Sequence, residues 1–468
     1  MGNMSPVLID TAILLIGVVA YALIWFISRD LSRIAQILAR VLPLVLFAPM
    51  FIVLQPHLAS LKAPPVAQQK KLESAARPQP PAPTSAPEPQ ASQAPASDKA
   101  RPTQPSTTRA DTTPAPKAGE PAARDVDWDV VPIFYGTDRG RKDDAKRIAY
   151  TSDRGRRLEL GRALVTVPKA HQVPNIERPF AIRVPYFQVT VYESAEDPKQ
   201  HFTIKEITTL SADDFVTLSR ERILGGRAFK DQAIVFVHGY NTDFDFALYR
   251  SAQMAYDLRF DGATFLYSWP SAGDFTGYVY DRESSEQSEP YLRDFLDMVM
   301  RDTGARSVSV IAHSMGNLPL LRVLQALGPK LPTDVRLNQI ILAAPDVDRD
   351  VFQNLAASIK PYGRGVTMYC SSNDKAMQVA RRVAGGIPRA GDVAPEGPVV
   401  MEGIDTIDVS ATSTEYLALN HSSYAESSAL LNDIGLLLQT GERPPDARVP
   451  ILQRVATPKG DFWRYPAR

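Results

Sequence analysis

The chain has 468 residues, too many for one ordinary core and enough for two or three domains. Lys+Arg and Asp+Glu both number 52, so the chain lacks the basic excess that marks a nucleic-acid reader. Its single cysteine, Cys370, excludes an intrachain disulfide but fits any compartment for a domain with a large core.

In chain order, the first feature is TAILLIGVVAYALIWFIS, Thr11 to Ser28, which carries no charge. A bilayer core needs about 20 apolar residues in helix, and Val7–Ile9 extends this run across Asp10. The alternative, a cleaved signal peptide, calls for a basic leader, yet MGNMSPVLID holds no Lys or Arg. A second uncharged stretch, Val41–Leu61, contains Pro43, Pro49 and Pro56, and reads as a weaker span or an interfacial segment. Arg29, Arg33 and Arg40 lie between the two, against Asp30, so the positive-inside rule assigns that loop to the cytoplasm. Both ends of the hairpin are then expected outside, which for a bacterial inner membrane means a periplasmic remainder. Residues 62–125 are rich in Pro and Ala, and no Phe, Tyr or Trp occurs from Ile52 to Asp127. That segment cannot bury enough apolar surface to offset its ordering entropy and reads as a disordered spacer. At about 3.1 Å per residue it reaches on the order of 100 Å from the bilayer.

Residues 126–468 read as one α/β domain. Expected strands are Val130–Thr137, Ala163–Pro168, Ala233–Gly239, Ala263–Pro270, Ser307–Ser314, Gln339–Asp346, Gly365–Ser372 and Gly403–Ser410. Several are unbroken Val/Ile/Leu runs, as in strands buried on both faces of a parallel sheet. The windows between them are helical; Leu292, Phe295, Leu296 and Val299 form one apolar stripe. Such alternation predicts a mostly parallel sheet with helices on both faces.

Chemistry enters at Ala312-His313-Ser314-Met315-Gly316, which sits between an apolar strand and a helix. It matches the strand–turn–helix elbow G-x-S-x-G, with Ala at the first small position. Ser314 is the expected nucleophile, and the Met315 amide is placed to donate to an oxyanion. Upstream, His238-Gly239-Tyr240-Asn241 follows a strand, and Tyr240 N–H is the expected second donor, Asn241 the next choice. Triad order in this fold is serine, acid, histidine, and of six histidines only His421 follows Ser314. His57 lies in the second span, His171 and His201 fall before the core sheet, His238 is in the turn, and His313 should point away. The acid is Asp374, after the second strand past the elbow, with Asp346 and Asp348 as alternatives after the first.

HGYN, LYSWPSAG, YDRESS, AHSMGN, LAAPDVDRDVF, YCSSNDKAM and NHSSY, in this order, resemble an α/β-hydrolase family of unknown function whose members are labelled esterase/lipase-superfamily enzymes. The resemblance implies the α/β-hydrolase fold and catalytic roles for Ser314 and His421, but no substrate. Ser268–Gly273, with Tyr278 and Asp281–Glu283, either lines the pocket or supplies a core Trp269 and an Asp281/Arg282 structural pair. Ala384–Glu402, rich in Gly and Pro, is a candidate flap over the site. No HExxH, Cys/His cluster or phosphate loop occurs, so no metal or nucleotide cofactor is expected. The combined expectation is a membrane-anchored serine hydrolase acting on a small-molecule or lipid ester. The rival is an inactive hydrolase body serving as an envelope scaffold or binding protein.

Overall fold

The computed structural model describes residues 126–143, 147–184, 189–274, 276–330, 336–373, 385–411 and 424–466. The membrane spans expected within 1–61 and the spacer expected over 62–125 lie outside the described residues, as do Asp374 and His421. Among the described residues no helix is long and apolar enough to cross a membrane.

Strands β1 (Trp128–Asp143) and β2 (Ile148–Pro168) form a long antiparallel ribbon, followed by β3 (Ala181–Val184), β4 (Val189–Glu193) and β5 (Thr203–Leu210). Helix α1 (Ala212–Gly225) leads to β6 (Gln232–Val237), α2 (Phe244–Asp257) and β7 (Ala263–Ser268). Next come α3 (Tyr278–Gln287), α4 (Glu289–Arg301), β8 (Ser307–His313), α5 (Asn317–Leu327) and β9 (Arg336–Ala343). The chain continues through α6 (Arg349–Ile359), β10 (Gly363–Cys370), β11 (Ile404–Asp408) and α7 (Tyr424–Thr440). It closes with α8 (Pro445–Arg448), β12 (Gln453–Thr457) and β13 (Gly460–Arg464).

Eleven strands make one sheet in the order β12-β13-β11-β10-β9-β8-β6-β7-β1-β2-β5. From β13 to β1 every neighbouring pair is parallel. The flanks are antiparallel: β2 pairs so with both β1 and β5, and β12 with β13. Only four residues separate β1 from β2 in the sequence, and a connection that short permits only antiparallel pairing. Because β1 and β2 belong to the main sheet, His171 and His201 follow its first strands, contrary to the expectation that they precede it.

The continuous apolar runs are explained by burial from both sides. Ala233–Val237 of β6 are all at most 2 % exposed. Ile234 and Phe236 enter one core, with α2 and α7; Val235 and Val237 enter the other, with α1, α4, α5 and α6. The α4 stripe Leu292, Phe295, Leu296 and Val299 is fully buried, as its spacing requires. From β6 the chain adds β7 on one side and β8, then β9 to β11, on the other. The strand order therefore reverses between β6 and β8, and in open α/β sheets that crevice at the carboxyl ends is where ligands bind.

A buried polar anchor holds α7, the helix that follows the His421 segment, against β10. Asp433 accepts from Tyr369 Oη at 2.7 Å and from Arg448 Nε at 2.6 Å, and both Arg448 and Asp433 are almost wholly buried. Removing one member leaves the other charge uncompensated in a low-dielectric core. Asp433→Ala is expected to cost about 3–5 kcal/mol, read as a lowered denaturant midpoint. A midpoint equal to that of the parent chain contradicts the anchor.

Candidate active site

Ser314 follows the last residue of β8, and its φ is +50°, in the left-handed region that a residue with a Cβ rarely occupies. Such a conformation costs of order 1–3 kcal/mol and persists only where its surroundings over-determine it. Here they do. The Ser314 carbonyl accepts from the Asp346 amide at 3.1 Å and from Asn317 Nδ2 at 2.9 Å. The same buried Asn317 amide group donates to the carbonyls of Ala312 and Ala343, at 3.3 and 3.2 Å. The result is a strand that reverses into α5 with the serine at the apex.

The second turn follows β6 and crosses the first. A Cβ on Gly239 would lie 2.9 Å from Ser314 Cβ and 2.8 Å from His313 Nδ1; one on Gly316 would lie 2.3 Å from the His238 carbonyl oxygen. Both glycines are therefore required by close approach, one from each turn. The crossing sets Tyr240 beside the elbow, while Met315 is the second residue of the helical turn Ser314–Gly316, where the first amides have no intrahelical acceptor. The Asn241 amide donates to Asp281 Oδ2 at 3.0 Å and is thus engaged within the turn.

This second turn is braced by residues the sequence left ambiguous. Buried Asp281 of α3 accepts from the Asn241 amide, from Ser271 Oγ at 2.6 Å and from the Ala272 amide at 2.6 Å. Ser271 Oγ in turn accepts from the Thr242 amide at 3.0 Å. Burial raises the Asp281 pKa, opposed by those hydrogen bonds. Arg282 does not pair with Asp281; it reaches Glu286 and the Asp346 carbonyl. Trp269 is core: it stacks on His238 and donates to the His238 carbonyl at 2.9 Å. Sequence reasoning missed Arg139 altogether. Its guanidinium, 3 % exposed, donates to Ser268 Oγ, to the Ser271 carbonyl and to the Thr242 carbonyl, at 2.9, 2.9 and 2.7 Å. Burial draws its pKa down to about 10, so it stays charged at neutral pH.

The described histidines divide clearly. His171 follows the end of β2, which pairs with the start of β1, so it sits at the sheet edge opposite Ser314. There it bridges Glu177 and Asp257, at 2.8 and 2.9 Å. His201 accepts from the Asp197 amide. His238 is kept neutral by burial and by Arg139; its Nδ1 faces the Gly239 carbonyl, so Nδ1 carries the proton and Nε2 accepts. Burial and Arg250 push His313 down to about 3.

Of the acid candidates, Asp346 is fully buried in an ion pair with Arg389, 2.9 Å between Oδ1 and Nε, and accepts from Tyr278 Oη at 2.9 Å. Asp348 caps α6, accepting from the amides of Asp350 and Val351. Asp374 follows the end of β10 and His421 precedes α7, both outside the described residues. The strand ends leading to them are stapled together. The Ser372 amide donates to Ser410 Oγ, and Asn373 Nδ2 to the Ser410 carbonyl, each at 2.8 Å. The segment 385–402 does not hang free as a flap in its middle. The Ala390 and Gly391 amides bond to Val347 and Pro345, and Ser371 donates to Gly391, which fixes it to the ends of β9 and β10.

Residues 223–439 match the profile of a family described as alpha/beta hydrolase of unknown function (DUF900). Over that span the chain has the α/β-hydrolase fold. The match begins near the end of α1 and includes both crossing turns, while the β1–β2 ribbon lies outside it. Among solved structures, an esterase from Pyrobaculum calidifontis aligns at 10 % identity, covering 60 % of this chain and 81 % of its own, with a TM-score of 0.26. A putative hydrolase from Agrobacterium vitis S4 aligns at 11 % identity, covering 58 % and 90 %, with a TM-score of 0.25. No curated protein matches the chain.

The bracing of the second turn by Asp281 has a measurable consequence. Asp281→Ala leaves the Asn241 and Ala272 amides without their acceptor, and the turn is expected to loosen. Hydrogen exchange at those two amides is expected to quicken roughly 10- to 100-fold as local opening of the turn becomes easier. Unchanged exchange in a folded variant contradicts this role.

Proposed function

We propose that this hydrolase cleaves carboxylic esters through an acyl-Ser314 intermediate, with His421 as general base and Asp374 as the acid that orients it. The observation that carries the reading is the positive φ of Ser314, held at the crevice where the strand order reverses. In the proposed reaction His421 takes the Ser314 proton as Oγ attacks the ester carbonyl. The oxyanion is received by the amides of Tyr240 and Met315. Collapse expels the alcohol, protonated by His421, and water then releases the acid by the same steps reversed in role. The stapled ends of β10 and β11 support the pairing, since the Asp374 and His421 segments begin from neighbouring strands at the Ser314 edge. Neutral His238 and His313 offer no comparable base: the first already donates to a carbonyl, the second is depressed to about 3.

The test is a panel of chromogenic esters of graded acyl length, read beside fluorophosphonate labelling. Ser314→Ala and His421→Ala are each expected to reduce kcat by several orders of magnitude, and Ser314→Ala to abolish labelling. Labelling that survives Ser314→Ala would falsify the assignment.

The domain is further proposed to be tethered to the inner membrane by residues 1–61 and to work in the periplasm at the end of the 62–125 spacer, from the apolar runs and the Arg29/Arg33/Arg40 loop. A periplasm-dependent reporter fused after Leu61 is expected to be active; an inactive fusion with an active cytoplasmic counterpart reverses the orientation.

A further inference from the structure

A buried charged cluster stands behind the elbow, one hydrogen bond away from Ser314. Asp346 lies in the turn that follows β9, and its amide donates to the Ser314 carbonyl at 3.1 Å. Its side chain is 2 % exposed, with Oδ1 2.9 Å from Arg389 Nε and Oδ2 accepting from Tyr278 Oη at 2.9 Å. The triangle closes where Arg389 Nη2 donates to Tyr278 Oη at 3.0 Å. The Nε–Oδ1 approach is close but not aligned as a hydrogen bond, so charge attraction carries that side of the triangle. Asp346 is the strongest charge acting on Arg389, and Asp348 a weaker one. A carboxylate and a guanidinium buried in this way hold their places as a pair, because the loss of one leaves the other uncompensated.

The turn that carries Asp346 is clasped from two sides. Ala344 opens it at a φ of +44°, in the left-handed region, with its amide donating to the Tyr369 carbonyl at 2.8 Å. Gly391 packs directly on this turn: a Cβ there would lie 2.5 Å from the Ala344 carbonyl carbon and 2.6 Å from Pro345 N. The Ala390 and Gly391 amides donate to the carbonyls of Val347 and Pro345, at 2.8 and 2.9 Å. Residues 389–391 thus grip the backbone on both sides of Asp346, while Arg389 takes its side chain. The opposite side belongs to α3, where Arg282 donates to the Asp346 carbonyl at 3.1 Å. The Tyr278 ring also meets the Tyr240 ring edge-on, with centroids 5.4 Å apart. One carboxylate is therefore connected to both crossing turns, to Ser314 through its own amide and to Tyr240 through Tyr278.

A triad acid must accept from the histidine that serves the nucleophile. Asp346 is fully buried, and each of its oxygens already faces a partner, Arg389 on one side and Tyr278 on the other. We propose that Asp346 is a positioning residue and not the triad acid: clamped by Arg389 and Tyr278, it holds the Ser314 backbone and the Tyr240 turn in the reacting arrangement without touching substrate. This rests on the ester-hydrolase reading above. Arg389 and Tyr278 act through Asp346, so the segment 389–391 serves as a clasp on the nucleophile. Placement at this level matters to rate, since a shift of about 1 Å at a reacting centre can cost on the order of 100-fold.

The test follows hydrolysis of 4-nitrophenyl butyrate by the full-length chain and by Tyr278→Phe, Asp346→Asn and Asp374→Asn, across pH. In Asp346→Asn kcat is expected to fall roughly 10- to 100-fold, with KM and the midpoint of the rise of kcat/KM with pH unchanged. Asp374→Asn should instead move that midpoint and cost several orders of magnitude, as loss of the acid that orients the base requires. An Asp346→Asn variant that moves the midpoint and loses as much as Asp374→Asn makes Asp346 the acid and overturns the proposal. So does a folded Asp346→Asn with parental kcat. Tyr278→Phe keeps the ring on Tyr240 and the Asp346–Arg389 pair, so it decides the matter where Asp346→Asn does not fold. Its kcat is expected to fall about threefold to tenfold at constant KM, and parental kcat overturns the proposal. A parent chain that neither turns over the ester nor takes a fluorophosphonate counts against the hydrolase reading. Hydrogen exchange at the Asp346 amide, compared between Tyr278→Phe and the parent, then reads the clasp: faster exchange supports it and equal exchange overturns it.

Discussion

The structure of the site depends on one close crossing of backbone. The turn after β6 and the turn after β8 meet where Gly239 packs on Ser314 and Gly316 packs on the His238 carbonyl. Neither turn can hold its place without the other: a side chain at either glycine would occupy space already filled. The crossing makes the strained Ser314 backbone tolerable, because the surrounding bonds from Asp346 and Asn317 leave its carbonyl one place to point.

Around that crossing, α3 acts as a brace. Asp281 binds the Tyr240 loop to the Ser271 loop, Tyr278 Oη donates to Asp346, and Arg282 reaches the Asp346 carbonyl. One short helix thus connects the ends of β6, β7 and β9. The ribbon adds Arg139 from the other side, a cation inserted among carbonyl oxygens and held charged despite burial. Polar groups buried this deeply are costly unless satisfied, and here the satisfied ones fix the loops around the Ser314 elbow.

How much of this could be read in the sequence differs by residue. Ser314 was legible because the elbow needs small neighbours at fixed offsets, a local demand that writes a local pattern. β6 and β8 were legible because burial on both faces removes polar residues from the run. The strands β3 to β5, β12 and β13 were not anticipated; β12 reads QRVAT, has no fully buried residue and offers no apolar period. Arg139 could not be found, because its partners Thr242 and Ser271 lie over a hundred positions away and a lone arginine in a strand has no signature. The sequence around Asp281 fits both pocket lining and an ion pair with Arg282. The bonds to Asn241, Ser271 and Ala272 show a third role that spacing on α3 could not reveal. Likewise the Gly/Pro content of 384–402 suggested a flap, whereas pairing with Pro345, Val347 and Ser371 pins its middle.

The proposed hydrolysis requires a proton exchanged between Ser314 and an imidazole that follows β11. The most direct measurement is a crystal structure of the chain after reaction with an alkyl fluorophosphonate. It should show phosphorus bonded to Ser314 Oγ, one phosphonyl oxygen within hydrogen-bond distance of the Tyr240 and Met315 amides, and the His421 ring beside the adduct. Phosphorus on another residue, or a Ser314 adduct with His421 far from it and no ring in its place, would contradict the central claim.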